Sequence, residues 1–212
     1  MTSPAETLFT ATVHGVKNQL GELLWRLEAR GDCQLEQSIT LRCAQRLSSA
    51  LLLWRSGVSG LSLNIDATDA EALLQDLASE YRSLFPNLRI ECGSSPTAAL
   101  DGSCVAFMDR ALVSLVLSDI VHNACRAADT RVSMSVSPWA TGVCFEIKDD
   151  GAGYPTDVLQ LAGRDFCQRG QASTGLGLHL ADSVARAHRR DTKVGEIHLS
   201  NEGGACFRMM LP

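Results

Sequence analysis

Residues 143–153 read Val-Cys-Phe-Glu-Ile-Lys-Asp-Asp-Gly-Ala-Gly, an alternating apolar stretch that leads into two carboxylates and two glycines. Alternation with a period of two predicts a strand over residues 143–148. A carboxylate at a strand end, followed by glycines that let the backbone approach a ligand closely, is typical of a binding site. Asp149 is suited to accept a hydrogen bond from an exocyclic amine such as that of adenine. The same residues also fit an Asp-Gly turn that only ends the strand.

A long and largely apolar helix is predicted upstream, over residues 108–127. Asp119 and Asn123 stand four positions apart, so their side chains lie on one face of that helix. A carboxylate and an amide oxygen suit a hydrated Mg²⁺, and Arg126, almost one turn further along, is placed to reach a phosphate. A polar stripe of this kind is also the ordinary solvated face of an amphipathic helix.

Residues 173–178 read Ser-Thr-Gly-Leu-Gly-Leu and open another predicted helix, over residues 176–187. Backbone N–H groups at a glycine-rich helix N-terminus attract phosphate. The spacing of Gly175 and Gly177 does not fit a P-loop, and the pair does not follow a strand as a dinucleotide fingerprint must. Residues 151–174 lack periodicity and are predicted to form a long loop.

The pattern around these three segments predicts an α+β protein, a sheet with its helices on one face. Further strands are predicted at residues 61–65, 88–92 and 131–136, a helix at 70–85, and a hairpin that joins 196–199 to 205–211 around Asn201-Glu-Gly-Gly204.

The first 57 residues have a different pattern. Apolar side chains at positions 9, 13, 16, 20, 23 and 27 alternate by four and three, and those at 44, 47, 51 and 54 repeat this spacing after a break at 29–32. This predicts an antiparallel helical hairpin. Because one hairpin leaves part of its apolar stripe uncovered, we expect two copies to form a dimeric four-helix bundle; packing of the hairpin on its own second domain is the alternative. The domains are predicted at 1–57 and 58–212.

The composition narrows the class of protein. With 212 residues, 45% hydrophobic and 20% charged, the chain has a globular composition. Its apolar stretches are far shorter than the roughly 18 residues of a membrane span, and its first residues lack the pattern of a signal peptide. We therefore expect a cytoplasmic protein without direct membrane insertion. The net charge of −5 argues against nucleic-acid binding. The eight cysteines have no zinc-site spacing and are expected to be reduced thiols.

In their order and spacing, the three segments resemble the N, G1 and G2 boxes of the GHKL ATPase superfamily, specifically of two-component sensor histidine kinases. Asn123-Ala124 matches the N box, Asp149-x-Gly151-x-Gly153 the G1 box, and Gly175-Leu176-Gly177-Leu178 the G2 box. The resemblance covers residues 58–212 and implies a Bergerat fold, an α/β sandwich, that binds ATP and Mg²⁺. By this resemblance Asn123 contacts Mg²⁺, with Asp119 joining through water, and Asp149 contacts adenine. Arg126, Thr174 and the box glycines complete the nucleotide site, and residues 151–174 form an ATP lid.

The hairpin resembles the dimerisation and histidine-phosphotransfer domain of the same family. His14-Gly-Val-Lys-Asn18 is similar to its H box. This implies that His14 accepts the γ-phosphoryl group of ATP and passes it to an aspartate on a response regulator. Asn18 is expected to face the same reaction. The sensor or input protein is then expected to be a separate chain.

Gly15 stands where most of the family has an acidic residue, and Gln19 stands where a proline is usual. The missing acid would orient the histidine and take its proton. A histidine phosphotransferase with kinase-like architecture and little autokinase activity therefore stays open as an alternative. A serine kinase or anti-sigma factor on the same ATPase fold is a third possibility, which the histidine-bearing hairpin disfavours.

Overall fold

The computed structural model describes residues 4–30, 33–94, 104–139, 142–160 and 175–212. The chain divides into two compact units, Met1–Gly60 and Leu61–Pro212. The second helix continues to Ser59, beyond the division predicted at residue 57. Gly60 follows it with φ of +77°. Glycine adopts this left-handed conformation at low cost and commonly stands just after a helix end.

The first unit is a helical hairpin. Helix α1 (Pro4–Glu28) packs against helix α2 (Gln34–Ser59). Val13 and Leu51 are buried in this unit, whereas several large apolar side chains are exposed, among them Leu23 and, at 69%, Trp25. The side chains at positions 9 and 54 of the predicted stripes lie outside the part that the structure describes. The hairpin by itself therefore leaves much of its apolar surface in water.

The second unit is built around one mixed sheet. Its elements in chain order are β1 (Asp66–Asp69), α3 (Ala70–Leu84), β2 (Arg89–Ser94), β3 (Val105–Met108), α4 (Arg110–Ala127), β4 (Arg131–Trp139), β5 (Gly142–Asp149), α5 (Thr156–Leu159), α6 (Gly175–Ala187), β6 (Arg189–Arg190), β7 (Lys193–Val194), β8 (Glu196–Asn201) and β9 (Ala205–Leu211). The main sheet has the order β2-β4-β5-β9-β8, in which only β2 and β4 are parallel.

The core of this unit lies between the sheet and helices α3, α4 and α6. Alternate residues of β4, β5 and β9 are buried, Phe145 and Phe207 among them. The three helices contact the sheet. The predicted α/β sandwich is thereby confirmed, and the period-two pattern of the strands was sufficient to place its buried face.

The prediction of a strand at residues 61–65 is wrong. These residues join no strand of the described chain, and the backbone N–H of Asn64 donates to Oδ2 of Asp109 at 2.9 Å instead. Pairing begins at β1, which forms a separate antiparallel pair with β3. Neither β1 nor β3 was predicted. Strand β1 reads Asp-Ala-Thr-Asp and therefore lacks the apolar alternation of a strand.

Smaller differences concern the ends of elements. Helix α4 begins at Arg110, not at residue 108, because the side chain of Asp109 caps it by accepting the N–H of Leu112 at 3.0 Å. The short helix α5 lies inside the predicted loop, and residues 161–174 of that loop are outside the described residues. The cysteines that the structure describes are free thiols, and Cys167 is not among them.

Candidate functional site

Asp149 ends strand β5 with a buried side chain, 8% exposed. Its Oδ1 accepts hydrogen bonds from the backbone N–H groups of Gly151 at 2.9 Å and Ala205 at 3.0 Å. One donor comes from the following loop and the other from the start of β9, so the carboxylate is fixed from two sides. Oδ2 accepts no hydrogen bond from the described residues. It therefore remains available to a ligand donor.

The neighbouring Asp150 has a different role, which the sequence did not suggest. Its Oδ1 accepts the backbone N–H groups of Asp129, Thr130 and Arg131, each at 3.0 Å. Its Oδ2 accepts the Thr130 hydroxyl at 2.5 Å. The Thr130 hydroxyl and these N–H groups hold the pKa of Asp150 well below its usual range. Asp150 thus connects the end of β5 to the turn between α4 and β4.

The two glycines of the G1 box are required by close packing. A Cβ on Gly151 would overlap the carbonyl oxygen of Ala127, at the end of α4. Gly153 has φ of +81°, and a Cβ there would lie 2.7 Å from Oδ1 of Asn201. An L side chain at Gly153 would therefore be strained twice, by its backbone conformation and by its contact.

Helix α4 is the element that the boxes share. A Cβ on Gly177 of α6 would overlap Oδ2 of Asp119, so the G2 box packs on the middle of α4. Gly151 of the G1 box packs on Ala127 at its end. Burial, followed by the charge of Asp149, raises the pKa of Cys125 to about 12, so the last turn of α4 also lies near that carboxylate. The N, G1 and G2 segments therefore meet on one helix.

The residues predicted to hold Mg²⁺ are on the same helix. Asp119 is partly exposed and Asn123 is exposed, one turn further along. A carboxylate and an amide oxygen form a donor set that fits Mg²⁺ bound largely through water. Within the described residues there is no group of three or more His, Cys, Asp or Glu that would form an all-protein metal site. Arg126 is exposed on the last turn.

A second contact joins the C-terminal end of α6 to the N-terminal end of α4. His188 follows α6 and is only 2% exposed. Its Nε2 accepts the backbone N–H of Asp109, the residue that caps α4, at 3.0 Å, and its Nδ1 donates to the carbonyl oxygen of Val184 at 2.8 Å. Burial lowers the pKa of His188. The neutral ring with its proton on Nδ1 is the form that makes both bonds.

Comparison with known proteins agrees with this geometry. Residues 108–212 match the family of histidine kinase-, DNA gyrase B-, and HSP90-like ATPases. The chain is 29% identical over 170 residues to sensor-type histidine kinase PrrB of Mycobacterium leprae, which is 77% of this chain and 35% of that protein. It is 27% identical over 137 residues to sporulation kinase C of Bacillus subtilis, 63% of this chain and 30% of the other. The chain belongs to the two-component sensor histidine kinases.

Solved structures show the fold of this histidine kinase family in the second unit. The ATP-binding domain of PrrB from Mycobacterium tuberculosis superposes with a TM-score of 0.55 at 26% identity, over 70% of this chain and 96% of that one. Full-length ShkA in complex with AMPPNP superposes with a TM-score of 0.66, over 97% of this chain and 46% of that one. At 19% identity this similarity shows the fold alone. The chain spans about a third of the length of the first two curated relatives named above.

The predicted site residues occupy both units. Asp119, Asn123, Arg126, Asp149, Gly151, Gly153, Gly175 and Gly177 are in the second unit, the last two in the first turn of α6. His14 and Asn18 are both exposed on α1 of the first unit. Thr174 and the side chain of Leu176 lie outside the described residues. No helix in the described ranges is both long and apolar enough to cross a membrane.

Proposed function

We propose that the protein is a cytoplasmic two-component histidine kinase. Mg-ATP phosphorylates His14, and the phosphoryl group then passes to an aspartate on a response regulator. The observation that supports this most directly is the convergence of the N, G1 and G2 boxes on helix α4, in a chain whose first unit presents an exposed histidine. The free cysteines of the described residues agree with a reducing compartment.

Each part of the site has a task in this proposal. Oδ2 of Asp149 accepts the adenine amine, while Gly151 and Ala205 fix Oδ1. Asn123, together with Asp119 through water, would hold a Mg²⁺ ion, which would supply positive charge to neutralise the transferred phosphoryl group. The remaining nucleotide contacts are assigned to Arg126, Gly151, Gly153, Thr174, Gly175, Leu176 and Gly177.

His14 is the histidine best suited to accept the group. His188 and His122 are buried, and both ring nitrogens of His188 bond to the backbone. Exposed histidines are His14, on α1, and His198, on β8. A neutral imidazole nitrogen of His14 forms the N–P bond as the bond from the γ-phosphorus to the bridging oxygen breaks, which releases ADP. Asn18, four residues further along the helix, faces the same reaction.

A homodimer through residues 1–57 is part of the proposal. Leu23 and Trp25 on α1 and Ile39 on α2 are large, apolar and exposed in the isolated hairpin. Pairing two hairpins into a four-helix bundle would cover such surface. Sedimentation at low protein concentration tests this, since a monomer would contradict the bundle. A response-regulator receiver domain is the further partner proposed.

Labelling with γ-³²P ATP and Mg²⁺ tests the phosphoacceptor. We expect a base-stable, acid-labile label in the wild type and in His198→Gln, and none in His14→Gln. His198 is the matched control because it is also exposed but lies on the other unit. Label retained in His14→Gln would contradict the assignment. ATP binding without any label would favour the histidine phosphotransferase that Gly15 keeps open, and acid-stable label on an added protein would favour a serine kinase.

A further inference from the structure

The turn between β8 and β9, residues 201–204, contacts the G1 box although it belongs to none of the family boxes. Asn201 ends β8 and pairs with Ala205 across the turn. Its Oδ1 accepts the backbone N–H of Tyr154 at 2.8 Å, and its Nδ2 donates to the carbonyl oxygen of Tyr154 at 3.0 Å. One carboxamide thereby satisfies both backbone groups of a residue 47 positions away, as a neighbouring strand would do.

The same carboxamide lies against Gly153. A Cβ on Gly153 would be 2.7 Å from Cγ and Oδ1 of Asn201 and 2.9 Å from Nδ2. The side chain therefore contacts two consecutive residues, one through packing and the next through hydrogen bonds. We call this set of contacts the Asn201 clamp. Its close packing is a second reason, beside the positive φ, why a glycine stands at position 153.

The turn also fixes the other end of the G1 segment, residues 149–154. A Cβ on Gly204 would overlap the carbonyl oxygen of Asp149, and the N–H of Ala205, directly after the turn, donates to Oδ1 of Asp149. The turn thus contacts the segment at Asp149 and at Gly153–Tyr154. Because the segment is a loop, its backbone conformation depends on these two attachments.

A charge network anchors the turn on its other side. Glu202 bonds to Lys148 at 2.5 Å, to Arg208 at 2.9 Å and to the Ser200 hydroxyl at 3.0 Å. These partners, Lys148 first, lower the pKa of Glu202 to about 2. Among its described contacts none reaches residues 151–154. Glu202 is therefore the natural comparison for Asn201, since it supports the same turn without contacting the G1 glycines.

We propose that Asn201 is a positioning residue for nucleotide binding, because its clamp holds Gly153 and Tyr154 and so keeps the G1 segment in the conformation that binds ATP. The inference rests on the proposed function. Asn201 bonds to backbone and takes no part in a chemical step. Without the clamp, binding must order the segment, so the affinity for ATP falls while the turnover at saturating ATP is kept.

The test compares Asn201→Ala, Asn201→Asp and Glu202→Gln in the full chain. Calorimetric titration measures Mg-ATP affinity, and initial rates of autophosphorylation give KM and kcat. We expect Asn201→Ala to weaken ATP binding about tenfold, which corresponds to the loss of one to two ordinary hydrogen bonds. KM should rise by the same factor, with kcat within about twofold. Asn201→Asp keeps an acceptor but loses the donor, so this substitution should also weaken ATP binding. Glu202→Gln should leave affinity within about twofold.

The outcomes separate the clamp from general stability. Unchanged ATP affinity in Asn201→Ala, or an equal loss in Glu202→Gln, would overturn the inference while the kinase proposal stands. Where alanine lowers the melting temperature of the nucleotide-free protein, Asn201→Asp decides, because it preserves the size of the side chain. A wild-type chain that binds no Mg-ATP would refute the proposed function, and the inference with it.

Discussion

Replacing Asp149 with asparagine separates two tasks of one carboxylate. Oδ1 accepts the N–H groups of Gly151 and Ala205, and an asparagine carbonyl oxygen accepts both in the same geometry. Oδ2 is assigned to the adenine amine. In Asp149→Asn an NH₂ group takes that place, so a donor faces a donor. We expect the variant to fold and to lose nucleotide binding.

The size of the effect follows from the number of bonds. A hydrogen bond to a charged acceptor contributes about 1.5–3 kcal/mol, and an amine left without an acceptor costs about 1–3 kcal/mol more. The affinity for ATP should fall by about 10²- to 10⁴-fold. Two bonds that change from charged to neutral acceptors each lose about 1 kcal/mol, so they lower the free energy of unfolding by about 2 kcal/mol. Asp149→Ala leaves both N–H groups without a partner and should lower it further, by about 3–6 kcal/mol, because two bonds of about 1.5–3 kcal/mol each are lost.

Titration calorimetry with Mg-ATP measures the affinity, and urea unfolding followed by circular dichroism measures the stability. The adenine assignment is wrong if Asp149→Asn binds ATP within about threefold of the wild type. The account of Oδ1 is wrong if the asparagine variant unfolds as easily as the alanine variant. The two measurements thus test the two oxygens of the carboxylate separately.

Three further predictions concern residues outside the nucleotide contacts. A Cβ on Gly15 meets no atom within 4 Å, so the structure should accommodate Gly15→Asp. The new carboxylate should supply a base and raise the initial rate of His14 labelling by about tenfold or more. Gly15→Asn is the matched control, and an equal gain in that variant would contradict the role of the base. The free energy of unfolding should fall as the pH drops below about 6.5, because unfolded His188 binds a proton that its lowered pKa excludes in the folded protein. His188 contributes at most about 1.4 kcal/mol per pH unit to this fall. Urea unfolding at pH 7.5 and 5.5 should show a smaller change in His188→Gln than in the wild type, and an equal change in both proteins would refute the prediction. Asp150→Ala should lower the melting temperature, because three backbone N–H groups lose their acceptor, and Asp150→Asn should lower it less; two equal melting curves for these variants would argue against the role given to Asp150.

The sequence was informative wherever function or packing imposes a residue type at fixed spacing. The strand before Asp149 has strict alternation, and the helix with Asp119 and Asn123 has a continuous apolar face, so both elements were predicted close to their observed ends. Helix α6 begins at Gly175, within one residue of the prediction. The roles of these side chains toward ATP and Mg²⁺ are still predictions, which the experiments above test.

A local sequence pattern does not predict the secondary structure where a distant residue determines the backbone conformation. Residues 61–65 alternate like a strand, but the N–H of Asn64 bonds to Asp109, 45 positions further along the chain. Periodicity within a short window contains no information on such a partner. The β1–β3 pair was missed because β1 lacks apolar alternation and because its partner strand is distant in the chain.

The supporting residues of the site were also beyond the reach of the sequence. Asp150 and Asn201 are polar residues beside glycines, and such residues usually mark a solvated turn. Their bonds extend over 20 and 47 positions to Thr130 and Tyr154. The glycine at position 153 was assigned to ligand approach, whereas its contact with Asn201 shows a packing role in addition.

The second N–H donor to Asp149 has a consequence for the order of events during translation. Ala205 follows Asp149 by 56 positions and belongs to β9, which inserts between β5 and β8. Helices α1 and α2 contact each other along one local stretch, so they can pair while the ribosome is still translating the second unit. The set of donors around Asp149, in contrast, cannot be complete until β9 has emerged. Under the proposed function, the nascent chain therefore presents His14 well before it completes the site that would phosphorylate this residue.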